Sequence, residues 1–228
     1  MAADVDATVA LLVDRVQLHL DRFVDEMQKR IIIALAGVPG SGKSTVSAAL
    51  ACCLQAKGVP CMVVPMDGFH YTKKQLSAFP NPREAFLRRG APFTFDVERL
   101  LVLVRTLRET PVTIDMAPPI LAPGFDHARQ DPVAEEIAVP LTTRVVIIEG
   151  NYLLLDQGRW RDVSDLVDDK WFVDTEPSVA LSRLVARHVQ TGMETTPEAA
   201  MVRARANDLL NSDLIRAHLI TPDVRVFN

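Results

Sequence analysis

A doubly wound α/β fold, with a mainly parallel sheet between two layers of helices, is predicted by three features of this 228-residue chain. Short apolar runs alternate with helical stretches along nearly the whole length, the rhythm of strand-helix-strand units. Runs such as Val145-Val146-Ile147-Ile148 are apolar throughout, as expected of strands covered on both faces. The third feature is Gly37-Val38-Pro39-Gly40-Ser41-Gly42-Lys43-Ser44, an unbroken G-x-x-x-x-G-K-[ST] phosphate loop set between an apolar run and a helical stretch.

In chain order, Val5, Val9, Leu12, Val13, Val16, Leu20, Phe23, Val24 and Met27 recur at three- and four-residue steps. That spacing predicts an amphipathic helix within residues 1–29, packed on the core or used to form a homodimer. The run Ile31-Ile32-Ile33-Ala34-Leu35-Ala36 reads as a buried strand, and Ser44 to Lys57 as the helix after the phosphate loop. Further strands are expected near 61–66, 112–116, 144–149, 171–174 and 224–227. Residues 175–192 read as a helix with Pro177 in its first turn and a stop near Gly192, its Leu181, Leu184 and Val185 directed to the sheet. Two segments break the rhythm, 67–95 and 117–140. The second carries Pro118, Pro119, Pro123, Pro132 and Pro140, a density that predicts an ordered loop with neither helix nor strand. No repeat or linker divides the chain, so a single domain over 1–228 is expected.

Composition narrows the function. With 48% apolar and 24% charged residues the chain is expected to bury a sizeable core. A net charge of −4, without a block of Lys or Arg, argues against nucleic-acid and anionic-membrane partners. Cys52, Cys53 and Cys61 have no metal-site spacing and read as buried, reduced thiols. Asp4 and Asp6 and the lack of a long apolar stretch argue against a leader or membrane span, so a cytoplasmic location is expected.

The chemistry starts at the phosphate loop. Gly37 to Thr45 would wrap a polyphosphate with backbone N–H groups, Lys43 would reach the outer phosphates and Ser44 a magnesium ion. Asp67, after Val63-Val64-Pro65-Met66, falls at the carboxyl end of a strand on the same sheet edge. There a carboxylate can accept a hydroxyl proton and aim the oxygen for in-line phosphoryl transfer; a plain Asp-Gly turn is the alternative. Glu149 ends another buried run and can serve magnesium directly or through water, or simply cap the strand. Arg183 and Arg187, four residues apart, share one helix face, where they would clamp a transferring phosphate or merely face solvent. His70, Tyr71, Arg88, Asp126, His127 and Arg129 occupy the two irregular segments and suit a small polar acceptor. Asn207-Asp208-Leu209-Leu210-Asn211 reads as a solvent face or an interhelix hydrogen-bonding patch.

Taken together, Gly37 to Thr45, Met66-Asp67-Gly68-Phe69-His70, Arg89-Gly90-Ala91-Pro92-Phe93-Thr94-Phe95-Asp96, Phe125-Asp126-His127, Glu149-Gly150-Asn151-Tyr152, Arg183 to His188 and Asn207-Asp208 resemble the uridine kinase, phosphoribulokinase and pantothenate kinase superfamily. Within it the chain is similar to a branch that includes fungal ATP-dependent kinases of unknown substrate. The resemblance spans about residues 30 to 225. It implies a three-layer α/β/α P-loop NTPase fold with a five-stranded parallel core and an arginine-bearing lid helix. It also implies Mg2+ and ATP as cofactors and phosphorylation of an alcohol group on a nucleoside-, pantothenate- or sugar-like metabolite. By motif match Asp67 would be the base, Lys43 and Ser44 the phosphate and magnesium residues, Glu149 the Walker B acid, and Arg183 and Arg187 the lid arginines. Asp126 and His127 would lie at the acceptor site, with Asn151 and Tyr152 beside Glu149 completing it. The rival reading is a nucleotide-binding switch or degenerate kinase that works through protein partners. A guanine-reading N-K-x-D motif is missing, since none of the five asparagines precedes a lysine.

Overall fold

The computed structural model describes residues 2–114 and 117–228. In chain order the elements are α1 (Ala2–Arg22), β1 (Ile31–Gly37), α2 (Lys43–Ala56), β2 (Cys61–Pro65), α3 (Lys73–Leu76), α4 (Pro82–Leu87), α5 (Val97–Glu109), β3 (Ile120–Asp126), β4 (Asp131–Val139), β5 (Val145–Gly150), α6 (Arg161–Asp165), β6 (Asp169–Asp174), α7 (Pro177–Gln190), α8 (Pro197–Arg203), α9 (Leu209–Ala217) and β7 (Val224–Phe227). A π-helical turn, Ala204–Asp208, joins α8 to α9. The main sheet has the order β2-β5-β1-β6-β7, with every pair parallel.

The central strand explains the three layers. All seven residues of β1 are buried, because successive side chains point to opposite faces and helices cover both. Ile32, Ala34 and Ala36 pack with Leu100, Leu101 and Val104 of α5 and with Leu153 and Trp160 beyond β5. Ile31, Ile33 and Leu35 pack with Leu12 and Val16 of α1 and with Val46, Leu50 and Leu54 of α2. The first helix therefore belongs to the core. It stops at Arg22, five residues short of the predicted apolar pattern, and Val24 and Met27 stay exposed. The guanidinium of Arg144 gathers the carbonyls of Phe23, Glu26 and Met27 and holds the turn that follows.

Three expectations are corrected. Residues 112–114 form no strand, and Asp115 and Met116, the rest of the expected strand at 112–116, lie outside the described residues. Residues 117–140 are not irregular: β3 and β4 form an antiparallel hairpin, separate from the main sheet. Its prolines fit because a two-stranded sheet leaves each strand one open edge, and Pro123 sits where the register shifts between Ala122 and Gly124. Finally, Cys52 and Cys53 are exposed, since Val46, Leu50 and Leu54 take the inward face of α2. Cys61 is buried, and burial pushes its thiol up to about 12. No helix among the described residues is long and apolar enough to cross a membrane.

Candidate active site

The phosphate loop leaves the carboxyl end of β1 and enters α2. At Gly40 the backbone has φ of +79°, and a Cβ there would stand 2.5 Å from the Ala180 carbonyl of α7, so a glycine is required twice over. Helix α2 opens on Gly42 with no side-chain cap, which leaves its first N–H groups available to an anion. The Ser41 hydroxyl is buried without a partner among the described residues, a further donor suited to phosphate oxygens. Polyphosphate therefore fits this cradle.

Lys43 starts α2 and Glu149 stands on β5, the strand beside β1. Parallel pairing brings both to one sheet edge, with Nζ 3.8 Å from the Glu149 carboxylate. Burial pushes the lysine pKa down and the carboxyl pKa up, and their mutual attraction opposes both shifts. The Ser44 hydroxyl donates to the other Glu149 oxygen at 3.2 Å. A hydroxyl and one carboxylate beside a phosphate cradle suit magnesium, which keeps most of its waters. Asp67 follows β2 in a 3-10 turn, Met66–Phe69, and lines the same cavity as Lys43, Ser44 and Glu149.

The far side of the cavity is built by β3, the hairpin turn and the segment before α5. His70 stacks on Phe95, with ring centroids 3.8 Å apart, and leans on Phe125 at 5.0 Å. Its Nδ1 lies 2.9 Å from the Asp67 carbonyl, which can only accept, so Nδ1 carries the proton. Burial pushes the His70 pKa down, against the pull of Asp67, and the neutral ring keeps Nε2 as an acceptor. Arg89 donates to the Tyr71 carbonyl at 3.1 Å, to Asp131 at 2.9 Å and to the Gln130 carbonyl. The polar face of the π turn and α9, Asn207, Asp208 and Asn211, closes this end together with Arg203.

The predicted residues divide. Lys43, Ser44, Asp67, His70, His127, Glu149, Asn151 and Arg187 line one cavity. Arg183 does not: it lies on the outer side of the phosphate loop, 3.4 Å from the carbonyls of Ser41 and Asn228. Helix α7 leans on that loop through buried Ala180 and Leu184, with Leu181 and Val185 only half-buried, in place of the sheet contact expected. Tyr71 packs edge-on against Phe79, and Asp126 accepts the Ala128 and Arg129 amides in the hairpin turn. Tyr152 is fully buried, its hydroxyl donating to the Gly90 carbonyl. Arg88 turns to Asn211, and its neighbour Arg89 faces the cavity instead. Sequence reasoning missed Arg89, Phe95, Phe125, Gln130, His188 and Arg203. The basic pair before Gly90 was visible, but which arginine turns inward depends on where α4 ends.

A sheet of this order, with a phosphate loop after its central strand and a carboxylate at the end of the neighbouring one, is a P-loop nucleotide-binding architecture, the one found in the P-loop kinases. The chain belongs to the phosphoribulokinase/uridine kinase family, whose model matches residues 32–207. It is 41% identical over 199 residues to a Schizosaccharomyces pombe protein provisionally named as a uridine kinase, covering 86% of this chain and 83% of that one. An ATP-dependent kinase of Lachancea thermotolerans, YFH7, is 34% identical, covering 89% of this chain and 67% of its own length. Among solved structures, a Silicibacter protein provisionally named as a fructose transport system kinase superposes with a TM-score of 0.81. It is 38% identical, with 95% of this chain and 98% of that one covered. YFH7 from Saccharomyces cerevisiae, provisionally described as a P-loop-containing kinase with a circular permutation, gives a TM-score of 0.83 at 25% identity, over 96% and 99% of the two chains.

Proposed function

We propose that this protein uses Mg2+ and ATP to phosphorylate a hydroxyl of a small metabolite, of nucleoside, pantothenate or sugar type. The observation that carries the reading is the shared cavity: Asp67 faces it from the end of β2, between the phosphate-loop residues Lys43 and Ser44 and the wall of His70, Arg89 and Phe125. ATP would supply the phosphoryl group, held by the loop, with magnesium at Ser44 and Glu149. Asp67 accepts the acceptor's hydroxyl proton and directs the oxygen in line, Lys43 and Arg187 offset the charge of the transferring group, and His70 Nε2 accepts from a second donor on the acceptor.

The purified protein with Mg-ATP should release ADP in the presence of some member of a panel of nucleosides, pantothenate, sugars and vitamin alcohols. ATP binding without transfer to any of them would favour the partner-acting reading. The two arginines separate in the same assay. Arg187→Ala should lower kcat by roughly 100-fold with little change in ATP affinity, because a cation at the reacting phosphate acts mainly in the transition state. Arg183→Ala should chiefly weaken ATP binding, since its guanidinium rests on the loop backbone outside the cavity. The opposite pattern would reverse their roles.

A further inference from the structure

Arg187 is followed on α7 by His188, which is 3% exposed. Nε2 of His188 stands 2.9 Å from the carboxylate of Asp208, and Nδ1 stands 3.2 Å from the sulfur of Met193. Asp208 ends the π turn, a feature rare in helices and frequent at functional sites. The preceding residue, Asn207, donates at 2.8 Å to the Arg89 carbonyl. One turn on, Asn211 accepts from Arg88 at 3.1 Å and donates to the Gly90 carbonyl at 3.3 Å. Gly90, at φ +102°, follows Arg89, and both residues line the cavity. One stretch of helix thus grips the lid helix with Asp208 and the cavity wall with Asn207 and Asn211.

We propose that the His188–Asp208 pair is a positioning latch that couples Arg187 on the lid helix to the Arg89 wall of the cavity through the π turn. Its catalytic consequence rests on the kinase reading above. A charge-assisted bond at His188 sets the rotation of the last turn of α7, and with it the direction of the adjacent Arg187. Asn207 and Asn211 tie the other side of the turn to residues 88–90. An acceptor that shifts Arg89 therefore shifts the turn that steers Arg187. His188 and Asp208 border the cavity, but their side chains are bonded to each other, so in this proposal they are positioning residues that act through Arg187.

The test is amide hydrogen exchange on the full chain, which needs no acceptor. In Asp208→Ala and His188→Ala, exchange should rise about tenfold both in residues 184–190 and at residues 88–91, the size expected when one charge-assisted bond is lost. Protection of β1 should be kept in both. His188→Gln, whose amide nitrogen can reach the same carboxylate, should restore both regions. Faster exchange at one end only, or no restoration by His188→Gln, would overturn the latch. If His188→Ala fails to fold, Asp208→Ala against His188→Gln decides it. The second arm is kinetic: with an acceptor from the panel, Asp208→Ala should lower kcat about tenfold in the wild-type background and not at all in Arg187→Ala. Additive losses would make the pair merely structural. Failure of the whole panel would sink the kinase reading and leave the exchange result standing.

Discussion

Asp67→Asn is expected to slow phosphoryl transfer roughly 1,000-fold while Mg-ATP affinity changes by no more than about twofold, as for loss of a general base outside the nucleotide's own contacts. The substitution is a clean one. The backbone carbonyl of Asp67, not its side chain, accepts from the amide and from Nδ1 of His70. The turn and the His70 ring therefore survive, and the loss reports the carboxylate alone. Asp67 is half-buried and close enough to Lys43 and Glu149 to push the pKa of both upward, against burial in the case of the lysine, so its charge belongs to the field around the transferring group. Single-turnover transfer and equilibrium nucleotide titration would measure the two quantities. Full turnover in the Asn variant would remove Asp67 from the role of base.

The largest stability effect is expected away from the site, at Asp169. Its carboxylate is 1% exposed and receives Arg15 at 2.7 Å and His19 at 2.7 Å, both from α1. Asp169→Ala would leave His19 buried beside an empty space and free Arg15 to reach solvent. A cost of about 3 kcal/mol is expected for breaking such a buried pair from one side. For a chain of this size that is roughly a 6–12 °C fall in melting temperature. A loss below about 1 kcal/mol would mean that the apolar face of α1 docks the helix unaided.

The same group predicts an acid limb. Burial raises the Asp169 pKa, but its hydrogen-bonding neighbours, Arg15 first among them, outweigh it and hold the carboxyl below its ordinary value of 3.8. With a depressed folded pKa, the stabilisation is fully present above 3.8 and is lost as pH falls through the folded value. Denaturation midpoints measured between neutral pH and pH 3 should drop steeply below pH 4 in the wild type. In Asp169→Ala that part of the slope should be missing.

The sequence alone determined the features that depend on neighbours along the chain. The unbroken apolar runs at 31–36 and 145–148 are buried strands because burial on both faces demands that pattern. The loop from Gly37 to Ser44 is legible because its glycines, lysine and serine act within one turn of backbone. Asp67 and Glu149 could be placed at one sheet edge because one follows a strand and the other lies at the end of one, and parallel strands end on the same side. Tertiary structure decided whatever depends on which way a residue faces or what covers it. The prolines of 117–140 spoke against any strand, yet β3 and β4 formed because a hairpin outside the main sheet has open edges for residues that cannot donate. Arg88 and Arg89 are indistinguishable in sequence; α4 ends before them, and Tyr152, Asn207 and Asn211, 62 to 121 residues away, hold the carbonyls of Arg89 and Gly90 in the arrangement that leaves Arg89 lining the cavity. Arg183 and Arg187 share a helix face, but α7 lies across the phosphate loop, so one rests outside that loop and the other opens into the cavity. Periodicity fixes which residues share a face; only packing against distant segments decides what that face meets.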